Sequence, residues 1–359
     1  MKIKGLSWGV TLLLSLTSSA LACDQEDCVL AQQEAEVETI DVTGGAAGCL
    51  DYALPYMFTG AEFTFLSVDA HSGGHASLTL DDTNTAGTDL RLAGADALND
   101  SGYAPRVWLG CRISECWSVV GRYWHLDDSG EDRPEAPAGA INLANLLRLS
   151  GTSHVEAYDA DLEVDRAFNW GCWKVDGIVG ARHASLDVNS HLTTGGTFTT
   201  SNFAELDLSD GSGFEGTGVT YAILVRRQIG NSHANVFFGA RGSNLDGRSD
   251  SFGRASVAIG ASGSSFSDSI SSSRHDGNAS LTIGELQMGV EYDIPLACVP
   301  ADAFFRVAYE FQDWNIDGRS APGLNTSGSA GPVTLSAVAS PGIGDMQLNG
   351  LTFATGLTW

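Results

Sequence analysis

The sequence predicts an antiparallel transmembrane β-barrel of about ten strands. Past residue 50, about ten stretches alternate apolar with polar residues, as strands do when one face meets lipid and the other the lumen. Long Gly/Ser/Asp-rich loops and very short turns join these stretches alternately. The last stretch runs to the final residue and ends on Trp359. Its length favours a barrel over a soluble β-sandwich, whose strands usually have about 5–6 residues.

The alternation places each strand to within a few residues. The predicted strands are 56–69, 102–112, 115–126, 153–166, 170–187, 214–229, 234–247, 280–294, 302–315 and 345–359. The long loops are expected at 70–101, 127–152, 188–213, 248–279 and 316–344. Both termini then lie on the short-turn side, which supports an even strand count and a periplasmic position for the turns. Twelve strands stay possible if Leu78–Leu80 or Ala255–Ile259 adds one.

The N-terminal region predicts export to the bacterial outer membrane. Lys2 and Lys4 precede an apolar segment, and Ala20-Leu21-Ala22 fits a small-x-small cleavage site. Residues 1–22 are therefore a predicted signal peptide, 23–50 an acidic Cys-containing periplasmic lead-in, and 51–359 the barrel. Cys23 directly after the cut also suits a lipoprotein, although Ala20 stands where such signals usually have Leu.

The charge of the chain excludes one class of partner. A formal net charge of −25 argues against nucleic acid, because phosphate binding needs clustered Lys and Arg. Many of the Asp and Glu residues lie in the lead-in and in the predicted long loops. Solubility is the simpler interpretation; divalent cations that bridge the loops to anionic lipid head groups are the alternative. No spacing matches a calcium-binding loop.

The seven cysteines all fall on the predicted short-turn rim or in the lead-in. They are Cys23, Cys28, Cys49, Cys111, Cys116, Cys172 and Cys298. Disulfides are plausible in an exported chain, and Cys111–Cys116 and Cys23–Cys28 are the preferred pairs. No Cys or His spacing suits zinc, so no metal site is predicted.

The predicted strands carry a charged face that alternates with an apolar face. A charge on the lipid side costs about 2–4 kcal/mol per Arg or Lys at the midplane, so the charged face must point inward. The predicted pore-lining residues are Arg106, Arg122, Arg182, Arg226, Arg241, Arg306, Asp159, Asp161, Glu163, Glu285 and Glu291. They suit either a selective pore or a salt-bridged, filled interior.

Strand number limits the width of any pore. About eight strands enclose room for side chains only, so ten leave a narrow passage at most. An amphipathic helix over 141–149 would cap the mouth or fold inward; a plain surface turn is the alternative.

Aromatic residues cluster towards the strand ends, where interfacial girdles sit. They include Trp117, Tyr123, Trp170, Trp173, Tyr292, Trp314, Phe353 and Trp359. In the last strand, Phe353, Leu357 and Trp359 form the predicted C-terminal signal for membrane insertion by the barrel assembly machinery.

Catalytic motifs do not stand out. The sequence has no phosphate loop, nucleophile elbow or metal-binding helix, and no cofactor is predicted. His125 with Asp127 and Asp128 suits a barrel protease in which His and Asp activate water, with His154 and His183 as other candidates. In so acidic a chain such neighbours arise by chance, and the sequence favours a non-enzyme.

Several segments resemble the pore-forming outer-membrane proteins related to the Legionella major outer-membrane protein. They are Pro105–Gly110, Gly121–Trp124, Tyr158–Glu163, Val179–Arg182, Phe214–Gly218, Gly239–Ser243 and Gly350–Phe353. The resemblance spans roughly residues 100–359 and implies a barrel that conducts small solutes, with no catalytic residues. The Cys-rich rim and acidic lead-in depart from the family.

Together these observations predict a narrow, charge-lined outer-membrane pore for small polar or ionic solutes. The alternative is a non-conducting structural or adhesive barrel that acts through its long acidic loops. A surface hydrolase is the third hypothesis.

Overall fold

The computed structural model describes residues 57–71, 75–82, 98–114, 116–132, 148–199, 202–261, 264–296, 301–330, 333–340 and 345–359. The predicted signal peptide, the lead-in, Cys23, Cys28, Cys49 and Cys298 lie outside these ranges. So does most of the helix expected over 141–149, of which Arg148 and Leu149 are instead the start of a strand.

The described chain forms thirteen strands. In chain order they are β1 (Met57–His71), β2 (His75–Asp82), β3 (Leu98–Arg112), β4 (Trp117–Asp132), β5 (Arg148–Trp170), β6 (Trp173–Thr199), β7 (Asn202–Gln228), β8 (Ala234–Ala261), β9 (Ser264–Pro295), β10 (Asp302–Asp317), β11 (Leu324–Ala330), β12 (Val333–Ser340) and β13 (Asp345–Thr358). No helix among the described residues is long and apolar enough to cross a membrane.

Ten strands close into an antiparallel barrel, as the sequence predicted. Their order is β1-β13-β10-β9-β8-β7-β6-β5-β4-β3, and β1 closes the ring by pairing with both β13 and β3. The other three form a separate sheet, β11-β12-β2. The twelve-stranded alternative is therefore wrong: Leu78–Leu80 lies in the separate sheet, and Ala255–Ile259 continues β8.

Where the structure describes them, the expected long loops are largely extended strands. β5 to β9 have 23 to 32 residues, whereas a tilted strand crosses a membrane in about 9–11. The prediction of loops was wrong because Gly, Ser and Asp suggested turns. The same segments keep a two-residue alternation, with Leu206, Leu208 and Val257 buried. Cross-strand pairing and burial thus override weak strand propensity.

The short turns have the backbone that tight hairpins require. Trp170 pairs with Trp173 across a two-residue turn, and Gly171 takes a φ of 59°. Gly230 takes a φ of 56° in the turn between β7 and β8. Only glycine adopts this left-handed region without steric cost, and its twist suits the flanking strands.

The outer surface of the barrel is apolar on alternate residues of every strand. On β10, Phe305, Val307 and Tyr309 are exposed, whereas Ala308 between them and Glu310 and Gln312 beyond them are buried. Exposed aromatics lie near the short turns, including Trp117, Trp170, Tyr292 and Trp359. Trp314, predicted as a girdle residue, is instead fully buried inside the barrel.

The predicted Cys111–Cys116 disulfide is not formed. Both residues are free thiols. Cys111 lies opposite Val119, and the Cys116 carbonyl accepts a hydrogen bond from Ala167 of the next hairpin, so the two cysteines are not cross-strand neighbours. Cys172 is disulfide-bonded, and neither of the two free thiols is its partner. The predicted Cys23–Cys28 pair lies outside the described residues.

Candidate functional site

All eleven predicted pore-lining residues point into the barrel. They occupy the inward positions of β3 to β10, and ion pairs link them across the lumen. Glu62, Asp176 and Glu310 face inward with them and complete the set. The charged side chains thus point inward, as the two-residue period of the strands predicts. They form ion pairs with one another.

Arg182 is the centre of the network. Its side chain is only 2% exposed, and its guanidinium lies 2.6 Å from an Asp161 oxygen and 2.5 Å from a Glu285 oxygen. Nε and Nη2 donate to the two oxygens of Asp161 in a bidentate pair, the strongest geometry for this contact. Asp159 lies 4.0 Å away. Arg182 of β6 therefore links the carboxylates Asp159 and Asp161 of β5 to Glu285 of β9.

Three further arginines extend the network around the lumen. Arg106 donates to Glu62 and, at 2.7 Å, to Glu310, so it joins β3 to β1 and β10. Arg241 pairs with Glu163 and lies 3.4 Å from Asp161. Arg122 lies 3.1 Å from Glu163. Arg106 and Arg241 share carboxylates with Arg182, and Arg122 shares Glu163 with Arg241, so the ion pairs form one continuous belt across the lumen.

A second cluster lies nearer the short turns. Arg226 pairs with Asp176 at 3.0 Å and lies 3.8 Å from Glu291, which Arg306 also binds. The Arg306 guanidinium rests 4.6 Å from the ring centre of Phe237, a cation–π distance.

Above the ion-pair belt, towards the former loops, the interior becomes apolar. Trp124 is the next inward residue after Arg122 on β4, whereas Leu66 and Trp314 follow the buried polar residues Thr64 and Gln312 on β1 and β10. Trp124 and Trp314 are both 0% exposed, and their ring centres are 5.5 Å apart. We call the buried cluster around them the apolar layer. Its members are Leu66, Val68, Ala104, Trp124, Leu126, Val155, Ala157, Ala184, Leu186, Val188, Phe214, Leu245, Leu281, Ile283, Trp314, Ile316, Met346 and Leu348.

A hydrogen-bond chain joins the apolar layer to the belt. Trp314 Nε1 donates to Gln312 Oε1 at 2.9 Å, and Gln312 Nε2 donates to Glu310 Oε1 at 2.7 Å. Glu310 also accepts from Arg106 and from the hydroxyls of Thr64 and Thr352. Trp314 is therefore held by polar contacts, whereas Trp124 Nε1 is buried without a hydrogen-bond partner among the described residues.

The three-stranded sheet covers the mouth above the apolar layer. β11 and β12 contact the extended ends of β7, β8 and β9. Ala321 N–H donates to Ser251 Oγ at 2.7 Å, and Ser269 Oγ lies 2.7 Å from Thr326 Oγ1. Leu324 and Ala321 are buried there. The sheet is thus held against β7 to β9 beyond the apolar layer.

On the short-turn side the belt borders a cavity of about 270 Å³. Its lining is both charged and aromatic, and includes Lys174, Arg226, Arg306, Phe58 and Trp108.

The histidines considered for a hydrolase lie on the outer wall. His125 Nε2 is 3.7 Å from Glu156, His154 Nδ1 is 3.7 Å from Asp127, and His183 Nε2 is 3.7 Å from Glu215. These are separate lateral pairs on four strands, and they do not converge on one cleft. Among the described residues no group of three or more His, Cys, Asp or Glu is placed to hold a metal ion.

A row of carboxylates crosses the outer wall above the apolar band. Asp127, Glu156, Asp187, Asp250 and Asp276 occupy successive cross-strand positions, with Gly213 between the third and fourth. Partial burial raises the pKa of Asp187, and repulsion from Asp250 and Glu156 raises it further. Like charges in direct cross-strand contact destabilise a sheet.

Asp187→Asn is expected to stabilise the folded protein at neutral and alkaline pH. A carboxyl whose pKa is raised in the folded state loses stability as the pH rises from about 4, the ordinary value, through the raised one. The gain is a few tenths to about 1 kcal/mol, as for other cross-strand pairs. Urea unfolding midpoints in detergent micelles at pH 8 and pH 4 test this. If the urea midpoint of Asp187→Asn differed from that of the parent by the same amount at pH 8 and at pH 4, the prediction would be contradicted.

The chain matches no family model and no curated protein. Among solved structures it is similar to the outer membrane protease OmpT from Escherichia coli, with 8% identity, a TM-score of 0.35, and coverage of 85% of this chain and 96% of that one. It is also similar to the toluene transporter TodX from Pseudomonas putida, with 7% identity, a TM-score of 0.30, and coverage of 85% and 90%. A third similar structure is a FadL homologue from Pseudomonas aeruginosa, with 7% identity, a TM-score of 0.27, and coverage of 85% of this chain and 90% of that one.

These similarities concern the barrel fold alone. They assign neither a protease activity nor a transporter activity to this chain. The resemblance to the Legionella family stays a prediction.

Sequence reasoning missed the apolar layer. The signal was present, because Trp124 shares the parity of Arg122 along β4, and Trp314 shares that of Arg306 and Glu310 along β10. A side chain of the same parity points to the same side of the sheet.

Proposed function

We propose that this chain is an outer-membrane barrel with a closed lumen, which acts through the β-structure that it presents beyond the membrane. The apolar layer carries the proposal. An ion cannot enter a dry zone formed by Trp124, Trp314 and their neighbours without losing its hydration, and burial of an unpaired charge costs several kcal/mol. This is the structural or adhesive alternative of the sequence analysis.

The outer surface supports placement in a membrane. Exposed apolar side chains alternate with inward residues along the barrel strands, and aromatics lie at the strand ends. In water such a surface would be a large aggregation-prone patch. The strands β5 to β9 then project beyond the bilayer on one side, where they carry the exposed acids and histidines.

A narrow pore for small polar or ionic solutes is the second candidate. The polar cavity under the belt favours it, since it gives a solute a charged path up to the apolar layer. The family resemblance, which implies conduction of small solutes, supports the same candidate. Passage would require Trp124 and Trp314 to move apart.

Conductance of the refolded chain, residues 23–359, in a planar bilayer separates the two candidates. Heat-modifiable gel mobility confirms that the barrel is folded before each recording. We expect a folded barrel that gives no reproducible conductance steps. Discrete, charge-selective steps from the unmodified chain would contradict the closed lumen and favour the pore.

A further inference from the structure

One wall of the short-turn cavity is an aromatic platform built on glycines. Phe304, Gly356, Gly60 and Trp108 form one cross-strand row through β10, β13, β1 and β3. The Trp108 ring lies over Gly60, and the Phe304 ring lies over Gly356; a Cβ at either glycine would overlap the ring. The two rings stack with centroids 6.2 Å apart and planes 20° apart.

Phe58 extends the platform by the same device. It lies opposite Gly110, and its ring covers the position that a Cβ of Gly110 would occupy. Phe58, Trp108 and Phe304 all line the cavity. The glycines therefore leave room for the three rings on the barrel wall beside the cavity, where the Arg306 guanidinium lies 5.6 Å from the ring centre of Phe304.

The opposite wall carries two cations. In the ten-strand ring, β6 and β7 lie across from the platform strands. Lys174 of β6 and Arg226 of β7 are direct cross-strand partners, and both line the cavity. Two like charges in this position repel unless an anion lies between them.

The two cations differ in their partners among the described residues. Arg226 pairs with Asp176 at 3.0 Å and lies 3.8 Å from Glu291. Lys174 is within ion-pair distance of none of the described carboxylates, although it borders the same cavity. A ligand carboxylate would supply the missing acceptors with charge-assisted hydrogen bonds.

We propose that this cavity binds a small planar aromatic carboxylate from the periplasmic side. The ring of the ligand stacks on the platform of Phe58, Trp108 and Phe304, and its carboxylate accepts hydrogen bonds from Lys174 and Arg226. The cavity, about 270 Å³, is just below the range of roughly 300–1,000 Å³ for drug-sized ligands, which limits the ligand to about one ring. This site requires neither a conducting nor a closed lumen.

Calorimetric titration of the refolded chain with benzoate tests the proposal. We expect saturable binding at one site. Cyclohexanecarboxylate, which has the charge but no aromatic ring, should bind at least severalfold more weakly, and benzyl alcohol, which has the ring but no charge, should not saturate.

Two variants and two matched controls locate the site. Lys174→Gln removes a charged donor, and Gly60→Ala displaces the Trp108 ring; each should weaken benzoate binding by about tenfold or more. Arg227→Gln removes an outward cation over Trp173, and Gly284→Ala adds a Cβ that meets nothing within 4 Å, so both should bind as the parent does.

Heat-modifiable mobility shows that each variant is folded before titration. A folded parent that does not bind benzoate would overturn the proposal, and so would equal affinities in the parent, Lys174→Gln and Gly60→Ala. If cyclohexanecarboxylate bound with the same affinity as benzoate, the aromatic platform would not contribute to binding. If benzyl alcohol bound saturably with the same affinity as benzoate, the two cations would not contribute to binding.

Discussion

Arg182→Met is expected to destabilise the folded barrel by about 3–5 kcal/mol, the cost of leaving buried charges without a partner. Arg182 neutralises Asp161 and Glu285 at 2.6 and 2.5 Å and lies near Asp159. Met is similar in length but carries no charge, so Asp161 and Glu285 lose their shortest ion pairs and keep only those of 3.4 to 3.9 Å to Arg241 and Arg106. The free energy of unfolding in urea, followed by gel mobility in detergent micelles, measures the loss.

Two further variants separate charge from geometry. Arg182→Lys keeps the positive charge but loses the bidentate fork, so its loss should lie between zero and that of Arg182→Met. Arg274→Met breaks an exposed pair with Asp276 at 3.1 Å, where Arg274 is 64% exposed, and should leave the free energy of unfolding close to that of the parent. Similar small losses for Arg182→Met and Arg274→Met would mean that the belt is hydrated rather than buried.

The inward position of the charges was predictable from sequence because a strand has a strict two-residue period. Arg306, Glu310 and Gln312 share one parity on β10, and lipid excludes charge from the other. The same argument predicted the number of barrel strands, since ten charged and apolar alternations recur along the chain.

The partners of those charges were not predictable in the same way. Arg106 binds Glu62 and Glu310, which are 44 and 204 residues away in sequence. Such contacts depend on the register of several strands and on the closure of β1 with β13, and neither follows from local pattern. A filled interior and a selective pore therefore look alike in the sequence.

The extended strands beyond the membrane were missed for a related reason. Segment 204–208 keeps the alternation but carries Glu205 and Asp207, and 209–213 is Ser-Asp-Gly-Ser-Gly, a composition that local propensity assigns to loops. Their stability comes from long hairpin pairing, as in β6 with β7, and from the sheet of β11, β12 and β2 packed beside them.

Trp124→Ala combined with Trp314→Ala is expected to open the lumen. The two rings fill the centre of the apolar layer, and their removal leaves space that connects the polar cavity with the mouth region. Each Trp→Ala change costs about 3–5 kcal/mol of stability, so the folded fraction must be measured first. Trp124→Ala alone is the milder variant, because Trp124 Nε1 has no hydrogen-bond partner to leave behind among the described residues.

In a planar bilayer the double variant should give discrete conductance steps where the parent gives none. Trp170→Ala, which removes an exposed ring at the short-turn rim, is the matched control and should stay silent. If the opened path runs along the belt, adding Arg306→Gln to the double variant should shift its selectivity towards cations, because a positive charge leaves the lumen. If the conductance steps have the same ion selectivity with and without Arg306→Gln, the ions pass outside the lumen. A folded double variant that remains silent would mean that the sheet over the mouth, rather than the apolar layer, closes the barrel.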